Sequence, residues 1–219
     1  MAGIFENAFI TVAASKANDS SEGCFSNTSH RFLTKQVKEY PDIFVHQVPP
    51  SALPPYEEVA KISDTALDAF PILKHGWIYQ ELRLSSRVLH FCAESFLWDC
   101  REVRRDENGL FYSVRSEDYG PGDSFRPYRV DEHNSRTLWY RTVEEYCGFK
   151  LTYSKDRLPA LSTLAQRMEK QRRNDKYMTG LWEKTLLFDL LWHVTAPMQH
   201  TNQTGKKPSW SWTATNNPV

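Results

Sequence analysis

The sequence lacks a charge excess, a long apolar run and a recognisable export signal. Lys plus Arg number 27 and Asp plus Glu number 27, so the formal net charge is zero. Nucleic-acid binders and charge-held membrane-surface proteins usually carry a basic excess, so both classes are disfavoured. The apolar stretches, such as 186–192, are far shorter than the roughly 20 residues of a membrane span. The first residues show no basic segment before an apolar one, and we expect a soluble, cytoplasmic protein.

Cysteine is scarce, and its spacing forms no C-x-x-C pair. The four cysteines are Cys24, Cys92, Cys100 and Cys147. Without an export signal, we expect buried thiols rather than disulfides. His90 and Cys92 fall on one face of a predicted strand with Cys100 across a hairpin, but zinc needs a fourth ligand that the spacing does not offer. We therefore predict core packing there, with no metal and no bound cofactor.

Aromatic residues, in contrast, are plentiful, with 7 Trp, 10 Tyr and 12 Phe. Large rings must be buried, which indicates a folded chain. The apolar, β-rich run 9–14 is typical of a strand buried on both faces of a parallel sheet. A parallel strand needs neighbours joined by long crossovers. We therefore expect earlier strands of this sheet to precede residue 1.

The remaining patterns predict an α/β fold with an incomplete mixed sheet in the N-terminal part and a predominantly helical C-terminal part. Pro71 suits the first turn of a helix running to about residue 85, and a strand pair follows at 87–92 and 96–100. Apolar spacing predicts a helix at 134–148 with Asn134 or Ser135 as its cap, and another from 159 onward with an apolar side formed by Leu161, Leu164, Ala165 and Met168. The segment 181–194 should be buried in the core, and a short extended segment follows at 208–212. A Gly-Pro loop at 117–127 adds a flexible connection. We predict two regions, 1–100 and 101–219.

The densest group of chemistry-bearing residues lies at 76–87. If one helix covers this stretch, four residues share a face: Leu73, Trp77, Glu81 and Leu84. Glu81 would then point where apolar side chains point, and a buried carboxylate must be paired, hydrogen-bonded or protonated. Arg83 and Arg87 are the candidate partners. Two interpretations remain open: a catalytic carboxylate with a shifted pKa, or an anchor that joins the helix end to the next strand.

Ordered blocks of the sequence together resemble the fungal heterokaryon-incompatibility domain and the region that often follows it. The blocks are 4–14, 76–81, 87–91, 151–162, 180–182 and 208–212. The resemblance implies non-self recognition and programmed cell death after fusion of unlike fungal cells. It also implies an α/β domain similar to the Toll/interleukin-receptor class, some members of which cleave NAD.

The same resemblance implies site residues, because Glu81 matches the Gln-Glu pair of the family. The supporting motif residues would be Gly76, Trp77, Gln80, Arg83 and Arg87. Two strand motifs that normally open the family domain, Ser-Tyr-x-Trp-Gly and Trp-Ile-Asp-x-Leu-Cys-Ile, do not occur, and His75 stands where Arg is common. We therefore expect the C-terminal half of such a domain, without activity alone. The alternatives are an NAD-cleaving effector in a full-length form and a non-enzymatic interaction module. Protein partners or self-association are expected, and nucleic acid is not.

Overall fold

The computed structural model describes residues 2–47, 67–100, 102–107, 112–114, 132–194 and 208–215. Within these ranges the helices are α1 (Ala2–Asn7), α2 (Gly76–Leu84), α3 (Glu132–Cys147), α4 (Ser162–Gln171) and α5 (Leu186–Asp189). The strands of the main sheet are β1 (Thr11–Ala13), β4 (Arg87–Phe91), β5 (Phe96–Cys100), β6 (Val103–Asp106) and β7 (Tyr112–Val114). Two small antiparallel pairs are formed by β2 (Lys35–Val37) with β3 (Tyr40–Val45), and by β8 (Tyr177–Met178) with β9 (Leu181–Trp182).

The main sheet is mixed, which confirms the predicted α/β class. Its strand order is β1-β4-β5-β6-β7. β1 runs parallel to β4, whereas each of the other neighbours is antiparallel. β4 and β5 form the predicted hairpin, in which His90 lies opposite Leu97. Their alternating burial places Val88, His90, Leu97 and Asp99 on the covered side of the sheet.

The sheet continues past residue 100 into β6 and β7, so the boundary suggested there falls between two paired strands. The core likewise combines residues from both regions, among them Leu82, Val88, Trp139, Leu164 and Trp212. The loop predicted at 117–127 lies outside the described residues. Within the ranges that the structure describes, none of the helices has both the length and the apolar character required to traverse a bilayer.

The first strand differs from its prediction in length and in burial. Only Thr11–Ala13 is a strand, and its parallel pairing with β4 is as expected. In this chain the run is not buried on both faces, since Val12 is 51% exposed and the preceding Phe9 is 79% exposed. β1 lies at the sheet edge, where only Ala13 reaches the core. An edge position with one covered face explains the exposure.

The helix predicted from Pro71 is divided at His75. Pro71–Lys74 is a 3-10 turn, and α2 begins at Gly76 because His75 has an extended backbone (φ −101°, ψ 116°). The Gly76 amide donates to the Lys150 carbonyl at 2.6 Å. This contact joins the start of α2 to the chain that follows α3.

The C-terminal helices match their predictions except in the segment 181–194. α3 begins two residues before the predicted cap and still ends just before Gly148. Pro159 opens a 3-10 turn that ends at the buried Leu161 and leads into α4, whose buried residues are the predicted Leu164, Ala165 and Met168.

The segment 181–194 is not a deep core element, and that prediction was wrong. Leu181 and Trp182 are buried, but Leu187 is 82% exposed and Leu191 is 73% exposed. The helix α5 is short, covering only Leu186–Asp189, and its buried residue is Asp189. Its apolar residues are therefore not buried in the core. The predicted extended segment at 208–212 is a turn followed by the 3-10 helix Trp212–Ala214.

Candidate functional site

Glu81 is a half-buried carboxylate on α2. Among the described residues, its side chain has no hydrogen bond and no ion pair. Burial raises the pKa of Glu81 above its ordinary value. A carboxylate that is partly desolvated without a charge partner is a feature of catalytic acids and bases, although structural sites produce it too.

Neither predicted arginine pairs with Glu81. Arg83 is buried and forms an ion pair with Glu145 on α3, and both side chains also hydrogen-bond to the Tyr79 hydroxyl. Arg87 is exposed, lies over the Phe9 ring and donates to the Phe9 carbonyl at 3.3 Å. Two helical positions rotate a side chain by about 200°, so Arg83 points away from Glu81 and toward α3.

The other motif residues on α2 join the sheet to the helical region. Gly76 is buried, and a Cβ there would lie 2.5 Å from Leu151 Cδ2. Gln80 is buried, and its Oε1 accepts a hydrogen bond from the Thr163 amide in the first turn of α4 at 3.3 Å. Trp77 was predicted to lie on the buried apolar face of the helix, and this was wrong because Trp77 is 37% exposed.

Trp77 is also tied to the C-terminal region, because its Nε1 donates to Asp156 Oδ2 at 3.3 Å. Gly76, Trp77, Gln80 and Arg83 thus all contact residues beyond position 144. These contacts connect α2 to the C-terminal region, and Glu81 is the only carboxylate in the segment 76–87.

The end of α2 lies at the amino end of β1. The Ser85 hydroxyl is 2.7 Å from Thr11 Oγ1 and donates to the Glu81 carbonyl at 2.8 Å. Ligands of open α/β sheets bind beyond the carboxyl ends of the parallel strands. The helical turn that carries Glu81 lies at the amino ends of the parallel strands, opposite to the end where such ligands bind. This position favours the anchor interpretation.

At the carboxyl end of β1, Ser15 meets His90. Their side chains are 2.8 Å apart, and both residues are fully buried. Burial, followed by the nearby Arg104 guanidinium, lowers the pKa of His90 to about 3, so the imidazole is neutral. No sequence pattern selects Ser15, because only the parallel register of Ala13 with His90 brings it there.

The cysteines near this pair belong to no metal cluster among the described residues. Burial raises the pKa of the Cys92 thiol to about 11, so it stays protonated and unreactive. Cys100 lies opposite Arg87 in the β4–β5 register, so its side chain is on the other face of the sheet from His90. In the part of the chain that the structure describes, no cluster of three or more His, Cys, Asp or Glu could hold a metal ion.

A groove of about 630 Å³ lies between α3, α5 and the segment around Trp212. Its walls are rich in aromatic and aliphatic side chains: Trp139, Tyr140, Val143, Leu181, Phe188, Leu191, Trp192 and Trp212. Its charged or titratable lining residues are Arg136, Glu144, Asp189 and His193. The sequence patterns selected none of these as a site, because the groove forms only when distant segments pack.

Comparison with known proteins identifies no relative. No family model, no curated protein and no solved structure matches this chain.

Proposed function

We propose that this chain acts in fungal non-self recognition and programmed cell death as the C-terminal half of a heterokaryon-incompatibility domain with the region that follows it. In this proposal the chain is cytoplasmic, acts through protein contacts or self-association, and catalyses no reaction by itself.

The observation that carries the proposal is a chain of contacts among the sequence blocks of the resemblance. Trp77 Nε1 donates to Asp156 Oδ2 at 3.3 Å, and the Arg157 guanidinium carbon lies 5.3 Å from the centroid of the Trp212 ring. Trp212 in turn donates to the Gly180 carbonyl at 3.0 Å. Blocks that are distant in sequence thus support one another, as a shared family fold requires.

The proposal that the chain catalyses no reaction by itself is supported by the bonds that the motif side chains form within the protein. Arg83 is held by Glu145, and Gln80 binds the backbone of α4. Buried side chains with these bonds are not free to bind a substrate. They stabilise the junction between the sheet and the helices.

Deletion of the gene in its fungal source tests the proposal. We expect fusion cells of an incompatible strain pair to survive after deletion, and cell death to return when the chain is expressed within its complete gene product. Glu81→Gln in that product should restore death fully, because the proposal requires no chemistry at Glu81. Unchanged death after deletion would overturn the proposed role.

The half-buried Glu81 favours a second candidate, an NAD-cleaving effector in a full-length form. Its raised pKa and its lack of a charge partner among the described residues are the supporting observations. The test is NAD consumption by the complete gene product, measured by chromatography. Loss of turnover in Glu81→Gln, with turnover retained in the exposed control Glu169→Gln, would support this candidate. Equal turnover by both variants would remove Glu81 from the mechanism.

A further inference from the structure

Asp189 is a buried carboxylate in the wall of the 630 Å³ groove, and it is only 4% exposed. Its Oδ1 accepts from the Tyr140 hydroxyl at 2.7 Å, and its Oδ2 accepts from the Trp182 amide at 2.8 Å. Both donors are neutral. Among the described residues, Asp189 forms no ion pair.

A buried carboxylate without an ion pair is costly, and proteins usually pair it. The Arg136 and Arg172 guanidinium groups act on the neighbouring Tyr140 hydroxyl, but neither forms an ion pair with Asp189. Each carboxylate oxygen can accept two hydrogen bonds, so Asp189 keeps acceptor capacity on both oxygens. The groove also has one arginine, Arg136, against two carboxylates, Glu144 and Asp189. These three side chains together give the lining a net charge of minus one.

The aromatic walls favour a cation as well. Arg136 already lies over the Phe188 ring, with its guanidinium carbon 4.9 Å from the centroid. Aromatic faces attract organic cations by this geometry. Phe188 is 59% exposed, so much of this side chain is open to solvent.

A metal ion does not suit this lining. Hard cations need several oxygen ligands around one point, whereas the two carboxylates of the groove, Glu144 and Asp189, belong to no cluster of three or more metal-ligating residues in the described part of the chain. The volume falls within the range of small-molecule sites.

We propose that the groove is a binding site for a small organic cation with an aromatic or apolar body, such as an aromatic amine. The ammonium group binds Asp189, and the apolar body packs against the rings around Phe188 and Trp192. This site is independent of Glu81 and of the role in cell death.

Three probes with the same ring and different charge test the inference: 2-phenylethylamine, 2-phenylethanol and phenylacetate. Each is titrated into the complete chain and followed by ligand-observed NMR. We expect the amine to bind at least about tenfold more tightly than the alcohol, and the acid to bind most weakly. Equal binding of amine and acid, or no binding of the amine, would overturn the inference.

Variants then locate the site. Asp189→Asn should reduce the preference for the amine over the alcohol to less than about twofold. Phe188→Ala should weaken the amine and the alcohol alike, because it removes a wall of the groove. The neighbouring Leu187→Ala should change neither, since Leu187 is 82% exposed and is not part of the lining.

Circular dichroism establishes that each variant is folded. If Asp189→Asn does not fold, the probe series with Phe188→Ala and Leu187→Ala still decides the question. A preference for the amine that persists in folded Asp189→Asn, or amine binding that Phe188→Ala leaves intact, would show that the amine binds elsewhere.

Discussion

The Trp212 indole lies directly against the backbone of Gly180, and its Nε1 donates to the Gly180 carbonyl at 3.0 Å. The Trp139 indole donates to the same oxygen at 2.9 Å. Gly180 has φ +93°, and a Cβ there would lie 2.7 Å from Trp212 Nε1. One glycine thus allows two buried indoles to converge, because a larger residue would be strained and would collide with a ring.

Gly180→Ala should therefore lower the free energy of unfolding by about 2–4 kcal/mol, through combined overpacking and backbone strain. Urea unfolding followed by tryptophan fluorescence measures the loss. Gly23→Ala is the matched control, because Gly23 also has a positive φ, +67°, but a Cβ there meets nothing within 4 Å. It should cost only about 1 kcal/mol. Equal losses in the two variants would contradict the packing role of Gly180.

The buried pair Arg83–Glu145 predicts strong coupling between α2 and α3. Glu145→Gln should destabilise the fold by about 3 kcal/mol, because it removes the charge that faces a buried guanidinium. In a separate cycle with wild type, the double variant Arg83→Met with Glu145→Leu should lose less than the sum of the losses in Arg83→Met alone and Glu145→Leu alone. Thermal unfolding of the four proteins measures this difference.

The exposed ion pair Lys74–Asp68 provides the control for that cycle. Asp68→Asn should change the free energy of unfolding by less than about 1 kcal/mol, since solvent screens the pair. Additive losses at Arg83 and Glu145 would show that their contact contributes no coupling.

Local patterns predicted β1, β4, β5, α3 and α4, but they did not predict the strands β6, β7, β8 and β9. The apolar segments 87–92 and 96–100 predicted the strand pair β4–β5, and the spacing of Leu164, Ala165 and Met168 predicted the buried side of α4. Strand type and helical spacing are properties of neighbouring residues. The position of β1 within the sheet depends instead on distant segments, so the exposure of β1 could not be predicted from its apolar run.

The site was harder to predict, for two physical reasons. Counting by helical spacing from Leu73 to Glu81 crosses His75, where the helix is interrupted, so the expected face was rotated. The partner of Arg83 lies 62 residues away on another helix. Sequence proximity suggested Glu81 instead, and only tertiary packing selects Glu145.

The neutral His90 predicts loss of stability in acid. Its pKa is about 3 in the folded state and about 6.5 when unfolded, so between these values the unfolded chain binds more protons. Stability should therefore fall as pH drops below about 6.5, by up to about 1.4 kcal/mol per pH unit from this residue. Urea unfolding of wild type and His90→Gln at pH 7, 6, 5 and 4 isolates its share. Parallel pH profiles of the two proteins would contradict the prediction.

Glu81 should have the opposite pH dependence. Because burial raises its folded pKa, its contribution to stability is complete below about 4.5 and is lost as pH rises through the folded value. Glu81→Gln should thus be more stable than wild type at pH 7, by about 0.5 kcal/mol, and equally stable at pH 4. Denaturant midpoints at the two pH values measure this effect. The exposed control Glu169→Gln should show no such gain, and a loss of stability in Glu81→Gln at pH 7 would contradict desolvation as the cause.

The exposed edge strand β1 predicts self-association. Val12 is 51% exposed, and on its face of the sheet it lies beside Leu89, which is opposite Trp98. An apolar strand at a sheet edge is a template for pairing with another chain.

Val12→Lys should therefore raise the concentration at which the chain begins to aggregate, because an edge lysine opposes strand pairing. Light scattering during concentration measures the onset. Gln166→Lys adds the same charge on the exposed side of α4, so it separates the effect of edge position from that of net charge. Since the unsubstituted chain has no net charge, both lysines reduce general association, and only Val12→Lys also blocks the edge. An equal gain from the two variants would show that aggregation follows net charge and does not begin at β1.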